Sequence, residues 1–264
     1  MKYMENHEEM RLNPSLLLPG TKTVVSVLLS YRQQKDWNAP YKMASYALGD
    51  DYHKVMKEKL WSLLKALKAE YPNLEGRPFV DSAPIMDRNW AEKSGLGWIG
   101  NNGCLINKDL GSLFFIGELL LNAESDYDSP DKNRCGRCRR CVEACPNHAI
   151  QPGGIIDSNR CISYHTIENK ELIPEKIDTK DWIYGCDICQ MVCPWNNRKK
   201  EYPYEPRFQI SETLKTLLET GEIAHMDKST FKKLFKRTAV SRVSYEKFMS
   251  NISRVAKKSP CSAV

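Results

Sequence analysis

Hydrophobic positions along the chain follow two different periods. Residues 23–29, Thr-Val-Val-Ser-Val-Leu-Leu, are β-branched and nearly continuous, which predicts a buried strand. Over residues 51–70 the period lengthens. Val55, Met56, Leu60, Leu63, Leu64 and Leu67 fall on one face of a predicted helix. Tyr71-Pro72 should stop it, because a proline ring crowds helical backbone just before it. Residues 78–81 predict a short strand ending on a polar residue, Asp81. Residues 91–95 read as the end of a short helix with a glycine C-cap. Gly95, Gly97, Gly100 and Gly103 predict a tight loop, followed by strands over residues 104–107 and 112–121. This alternation argues for an α/β domain over residues 1–128. Residues 126–133 are polar, hold Pro130 and read as a linker. Near the end, Ser229 is expected to cap a helix that turns Phe231, Leu234 and Phe235 inward.

At 264 residues and 41% hydrophobic, the chain can bury a real core in one large or two modest domains. The longest apolar stretch, residues 113–121, is broken by Glu118 and too short to span a membrane. The first residues carry no apolar signal segment. A cytoplasmic, reduced protein with no membrane partner is therefore expected.

The net charge of +6 is unevenly spread. Residues 1–198 hold 25 basic and 26 acidic side chains; residues 199–264 hold 14 and 7. From Lys228 to Lys258 there are ten basic residues, and only Glu246 is acidic. Phe231, Phe235, Tyr245 and Phe248 lie among them. Such a basic helical tail over residues 201–264 suits a polyanion, RNA included, while the aromatics read as core. A solvated helix face is the plainer explanation of the charge.

Eight of the ten cysteines form two runs, each ending in Cys-Pro. The first is Cys135-x2-Cys138-x2-Cys141-x3-Cys145-Pro146; the second is Cys161, then Cys186-x2-Cys189-x3-Cys193-Pro194. The first has the bacterial ferredoxin spacing, in which three cysteines hold one [4Fe–4S] cluster and the fourth reaches a second. Cys145 is expected at the start of a helix that Pro146 initiates. By pseudo-symmetry, Cys193 joins Cys135, Cys138 and Cys141 on one cluster, and Cys145, Cys161, Cys186 and Cys189 hold the other. Zinc sites favour paired Cys-x2-Cys hooks, and disulfides need an exported protein. The ferredoxin-like domain is placed at residues 129–200. Cys104 is left over as a small core residue, and Cys261 as a tail thiol.

An α/β domain in front of a ferredoxin implies that the clusters serve something held there. Gly95-Leu-Gly97-Trp-Ile-Gly100 has the dinucleotide-binding spacing but follows a helix, not a strand. Asp81, behind Phe79-Val80, is an acid–base candidate whose carboxyl an apolar wall would push upward. A turn or N-cap aspartate is the alternative, given Ser82 and Pro84.

Several segments together resemble the epoxyqueuosine reductase family. They are Asp51-Tyr-His53, Val80-Asp-Ser-Ala-Pro84, Ala91-Glu-Lys-Ser-Gly-Leu-Gly-Trp-Ile-Gly100, Arg160-Cys-Ile-Ser-Tyr164, Gly185-Cys-Asp-Ile-Cys-Gln190 and Cys193-Pro-Trp-Asn196. Arg237-Thr-Ala-Val-Ser-Arg242 and Asn251-Ile252 are similar to that family's C-terminal segment. The resemblance implies an α+β or α/β fold: a nitroreductase-like cofactor domain, the ferredoxin-like domain and a helical end. It implies a cytoplasmic monomer that reduces epoxyqueuosine to queuosine in tRNA. An external low-potential reductant would feed two [4Fe–4S] clusters and, through them, cobalamin. Asp81 becomes the proton donor to the departing oxygen. Arg88, Asn102, Ser163, Cys186 and Asp187 are placed near the corrinoid, with Asp81. Tyr52 and His53 are placed at the substrate, although a core role for His53 stays open. Arg237 and Arg242 become phosphate contacts.

This chain has Asn101 where the family has lysine, and Ser250 where an arginine precedes Asn251. Residues 1–7 resemble an internal family segment, so the family's opening strand and helices are expected to be absent. Two other readings stay open: a corrinoid reductase of a small molecule, resembling reductive dehalogenases, and a two-cluster electron carrier.

Overall fold

A computed structural model describes residues 5–34, 38–197 and 204–257. The chain runs α1 (Glu8–Leu12), β1 (Thr23–Ser30), β2 (Lys42–Met43), α2 (Tyr52–Glu70), β3 (Gly76–Phe79), α3 (Asp87–Lys93), β4 (Trp98–Ile99), β5 (Leu105–Ile106), β6 (Phe114–Leu121), α4 (Arg140–Ala144), β7 (Trp182–Tyr184), α5 (Ile188–Met191), α6 (Glu212–Thr220), α7 (Lys228–Phe235) and α8 (Tyr245–Ala256).

β6 is the centre of a three-stranded sheet in the order β1-β6-β3. Both pairings are antiparallel, so the fold is mixed α+β and this sheet has none of the parallel pairing of a doubly wound fold. The register runs from Thr23↔Leu121 to Ser30↔Phe114 on one side of β6 and from Gly76↔Leu121 to Phe79↔Glu118 on the other.

Helix α2 covers this sheet. Asp51 caps it by accepting the His53 N–H at 3.0 Å. Val55, Met56, Leu60 and Leu64 are buried, each contributing about 1.5–3 kcal/mol of burial free energy. Leu63, expected on the same face, is 39% exposed. Gly117 makes the close approach possible: a Cβ there would meet Met56 Cε at 2.7 Å. The helix ends at Tyr71, whose ψ of 83° takes the backbone out of the helical region before Pro72.

Several boundaries differ from the sequence expectation. β3 ends at Phe79, two residues short of Asp81, which takes a left-handed φ of 46°. The glycine-rich loop contains β4, paired with β5 across Trp98↔Ile106. Pro146 starts no helix: α4 ends at Ala144, and Cys145 is held extended (ψ 112°) by the proline after it. Asp227, not Ser229, caps α7 by accepting the Thr230 N–H at 2.7 Å. Residues 126–133 form no helix or strand, and Tyr127 Oη donates to the Lys22 carbonyl at 3.3 Å.

The cysteine segment is joined to the first part by β7, which pairs parallel with β2. Asn196 adds a second tie: its Oδ1 accepts the Ser112 N–H at 2.7 Å, and its Nδ2 donates to Ser112 Oγ at 2.9 Å. The C-terminal helices share one core with α2 and β6: Leu214, Leu218, Phe231, Phe235, Phe248, Ile252 and Val255 pack in the same cluster as Val55, Met56, Leu60 and Leu119. Phe231, Phe235 and Phe248 are buried there, as their core reading required, and Tyr245 packs partly buried against them. Asn251 is fully buried, and its Nδ2 donates to the carbonyls of Thr166 (2.9 Å) and Ile183 (3.0 Å). It therefore fastens α8 to β7. Among the described residues, no helix is long and apolar enough to cross a membrane.

Candidate active site

Eight cysteines sort into two cavities. Cys135, Cys138, Cys141 and Cys193 line one of about 170 Å³. Cys145, Cys161, Cys186 and Cys189 line another of about 280 Å³. Among the described residues, no three His, Cys, Asp or Glu side chains converge tightly enough to hold a single metal ion. The nine described cysteines are all free thiols; Cys261 lies outside the described residues. Burial pushes the Cys186 thiol up to about 12, and burial also raises Cys189 and Cys193. Thiols so placed ionise only against a cationic centre, which is what iron–sulfur ligation supplies. Around the smaller cavity, Trp98 Nε1 donates to Cys135 Sγ at 3.4 Å and Asn101 Nδ2 donates to the Cys138 carbonyl at 2.9 Å.

The larger cavity extends past its cysteines to Tyr46, Arg88, Asn102, Ser163 and Asp187. Asp187 is 3% exposed, and its Oδ2 accepts the Ser45 N–H at 2.7 Å. Burial raises its carboxyl above the usual range. Arg88 donates to the Gly103 carbonyl. Asn102 is buried, its Oδ1 accepts the Cys104 N–H at 3.3 Å, and its Nδ2 has no protein partner. A buried donor left open on a cavity wall fits a polar ligand edge, such as the amide-fringed rim of a corrinoid. Cys104, expected in the core, lines this cavity instead, because the turn after Gly103 carries it out of the β5 face.

A second cluster of side chains stands beyond Tyr46. Tyr46 meets Tyr52 edge to face, with ring centroids 6.2 Å apart. Tyr52, the first residue of α2, donates its phenol O–H to Asp81 Oδ2. The adjacent His53 places Nε2 at 3.4 Å from the same oxygen and Nδ1 at 2.8 Å from Asp51 Oδ1. The capping turn is therefore what aims both side chains: fixing Asp51 and the first helical turn fixes Tyr52 and His53 together.

The electrostatics overturn one expectation. The hydrogen bond from His53 lowers the Asp81 carboxyl below its ordinary value; burial works the other way, and Tyr52 and the Arg242 charge add to the lowering. The apolar wall behind Val80 does not decide the matter, because the Asp81 side chain is 51% exposed and faces a cation. His53 is raised to about 9, first by Asp51 and then by Asp81, so it is protonated at neutral pH. Burial and the Asp81 charge push the Tyr52 phenol upward, so it stays a donor.

Of the sequence candidates, Tyr52, His53 and Asp81 are brought together, and Arg88, Asn102, Ser163, Cys186 and Asp187 share the larger cavity. Arg242 pairs with Glu168 at 3.1 Å and acts electrostatically on Asp81. Arg237 stands apart, 74% exposed and paired with Asp50 at 2.8 Å. Sequence reasoning missed Tyr46, Asp51 and Asp87, whose Oδ1 accepts the Asp81 N–H at 3.3 Å. Asp51 was findable as the N-cap before a helix; Tyr46 and Asp87 reach the site only through tertiary folding.

Comparison with known proteins gives a consistent picture. Residues 11–82 match the family model described as "Epoxyqueuosine reductase QueG, DUF1730", and residues 134–196 match a 4Fe-4S double cluster binding domain. An epoxyqueuosine reductase of Cyclobacterium marinum is 47% identical, the match covering 96% of this chain and 82% of that protein. A crystal structure of epoxyqueuosine reductase with a tRNA-Tyr epoxyqueuosine-modified stem loop is 28% identical over 94% of this chain and 67% of that one, with a TM-score of 0.83. A Bacillus subtilis epoxyqueuosine reductase, captured with its catalytic aspartate loop swung out of the active site, is 27% identical over 94% of this chain and 67% of that one (TM-score 0.82).

Proposed function

The chain belongs to the epoxyqueuosine reductase family, and on that footing we propose that it reduces epoxyqueuosine to queuosine at the wobble position of tRNA. The reaction takes two electrons and two protons, opens the epoxide to a ring alkene and releases its oxygen as water. One observation carries the reading: a carboxyl held by Tyr52 and His53 stands beyond Tyr46, which lines the same cavity as Cys145, Cys161, Cys186 and Cys189.

In this reading Cys135, Cys138, Cys141 and Cys193 hold one [4Fe–4S] cluster, and Cys145, Cys161, Cys186 and Cys189 hold the other. Arg88, Asn102, Ser163, Cys186 and Asp187 would hold cobalamin, with Asp81 near it. When bound, the clusters and cobalamin supply the two electrons, loaded by an external low-potential reductant. Residues 1–128 form the corrinoid and substrate domain, nitroreductase-like in type, and the molecule works as a monomer.

The protein's own part is proton supply and positioning. His53 Nε2, charged at neutral pH, passes its proton to the ionised Asp81 carboxylate, and Asp81 delivers it to the departing oxygen. Tyr52 fixes the carboxyl's orientation from the apolar side. Asp51 holds the imidazole from behind, as a positioning carboxylate does in many acid–base pairs. Asp81 sits on a loop rather than in a strand, which suits a group that must admit a bulky tRNA base and then close on it. Arg237 and Arg242 contact phosphates of the anticodon stem.

Anaerobic reconstitution with iron, sulfide and cobalamin tests the cofactor reading. About two clusters and one cobalamin per chain are expected. Protein that takes zinc in place of the clusters, or excludes cobalamin, contradicts it.

A further inference from the structure

Glu118 is the only charged residue of β6, at the centre of the sheet. It is 0% exposed, and neither carboxyl oxygen has a hydrogen-bond donor among the described residues. Its Cα lies opposite Ser26 of β1 and Phe79 of β3, directly beside the point where the Asp81 loop leaves the sheet. The charged group that acts on it most strongly is another carboxyl, that of Asp87 at the start of α3, the helix that packs on β6. Two carboxyls that act on each other this way, one of them fully buried, are stable together only if one keeps its proton. An unpaired buried carboxylate costs several kcal/mol, and a second one beside it adds repulsion.

Among the described residues, no cation forms an ion pair with either carboxyl: Arg77 of β3 donates to the Leu17 carbonyl at 2.9 Å and lies over the Phe79 ring. β1 contains no titratable residue. On α3, Arg88 donates to the Gly103 carbonyl and Lys93 lies over the Trp90 ring, while Glu92 accepts the Ile99 N–H. The remaining charges nearby are Asp81 itself, a third carboxyl, and His53 behind it. Meanwhile Asp87 Oδ1 accepts the backbone N–H of Asp81 at 3.3 Å, and Asp81 holds a left-handed φ of 46°. That conformation is uncommon for a residue with a side chain and persists only where neighbours enforce it.

We propose that Glu118 and Asp87 share one proton, and that this buried acid pair is the latch that holds the Asp81 backbone in place, making both of them positioning residues for the proton donor. The shared proton lets Asp87 turn one oxygen to Glu118 and the other to the Asp81 N–H. Without it, the two carboxylates repel, Asp87 turns away, and the loop loses its anchor. Burial raises both carboxyls above their ordinary values, which agrees with a retained proton. The catalytic consequence rests on the reading of Asp81 as donor; the latch itself does not.

The test therefore begins without substrate. Infrared difference spectroscopy at neutral pH is expected to show the carbonyl stretch of one protonated carboxylic acid that disappears in Glu118→Gln. Hydrogen exchange followed by mass spectrometry then reads residues 80–86. Glu118→Leu, and Asp87→Ala as a second variant outside the sheet, are expected to speed exchange there about tenfold. Glu118→Gln, whose amide still donates to Asp87, is expected to stay within about twofold of the parent. In turnover, Glu118→Leu should lower kcat and leave KM for the tRNA unchanged, with Glu118→Gln restoring kcat. The proposal is overturned if no such infrared band depends on Glu118, if Glu118→Leu and Asp87→Ala leave exchange unaltered, or if Glu118→Gln loosens the loop as much as Glu118→Leu. Should these physical readouts hold while Asp81→Asn turns over normally, the latch stands and the donor assignment falls.

Discussion

His53 Nε2 lies 3.4 Å from Asp81 Oδ2, and its opposite ring nitrogen lies 2.8 Å from Asp51 Oδ1. One imidazole thus bridges the carboxylate that caps α2 and the carboxylate on the loop after β3. A cation between two anions is the reason the histidine is protonated at neutral pH and the aspartate is not.

This bridge has a pH signature. The folded His53 value is raised from 6.5 to about 9, so its stabilisation is complete below about pH 6.5 and is lost as pH rises through about 9. Asp51 and Asp81 are lowered, so their share is present above their ordinary 3.8 and is lost on acidification. Replacing His53 with Gln should therefore destabilise the protein near neutrality by on the order of 1–2 kcal/mol, discounted for the exposed Asp81. The difference between parent and variant should shrink as pH rises past 9. Urea unfolding of both across that range measures it; a constant difference means that His53 is not charged in the folded protein.

The two cysteine cavities predict separable cluster losses. Cys141→Ser removes a lining thiol of the smaller cavity and Cys161→Ser one of the larger. Each variant should retain about half the iron, and the two should show different residual spectra under anaerobic reduction. Unchanged iron in either variant breaks the assignment of that cysteine.

Salt dependence separates the two C-terminal arginines from structural residues. Arg237→Ala and Arg242→Ala should each weaken tRNA binding and reduce the slope of log affinity against log salt by about 1. Asn251→Ala should leave that slope alone and lower thermal stability, since it deprives two buried carbonyls of their donor. An arginine variant with the parent slope touches no phosphate.

Where local signals decide structure, the sequence was legible. The helix over residues 51–70 was readable because apolar side chains repeat on one face, four of them buried, and Pro72 ends it. The cysteine spacing was readable because covalent reach limits which thiols can meet, and the four-and-four sorting follows it. The failures are tertiary. Pro146 could start a helix by its own chemistry, yet the chain turns there toward the larger cavity. Ser229 can cap as well as Asp227 can, and only the chain's direction chooses between them. The charge state of Asp81 depends on His53, 28 residues earlier, which no local pattern around Val80 reveals. Glu118 was visible as a flaw in an apolar run; its partner on α3 was not.

The most direct measurement is mass spectrometry of the nucleosides of epoxyqueuosine-bearing tRNA after anaerobic incubation with reconstituted protein and a low-potential reductant. The parent should convert the modified base to a product lighter by one oxygen. Asp81→Asn, carrying the same iron and cobalamin, should lose turnover by roughly a hundredfold or more. A parent that leaves the epoxide intact, or an Asp81→Asn variant that removes it at the parent rate, contradicts the account.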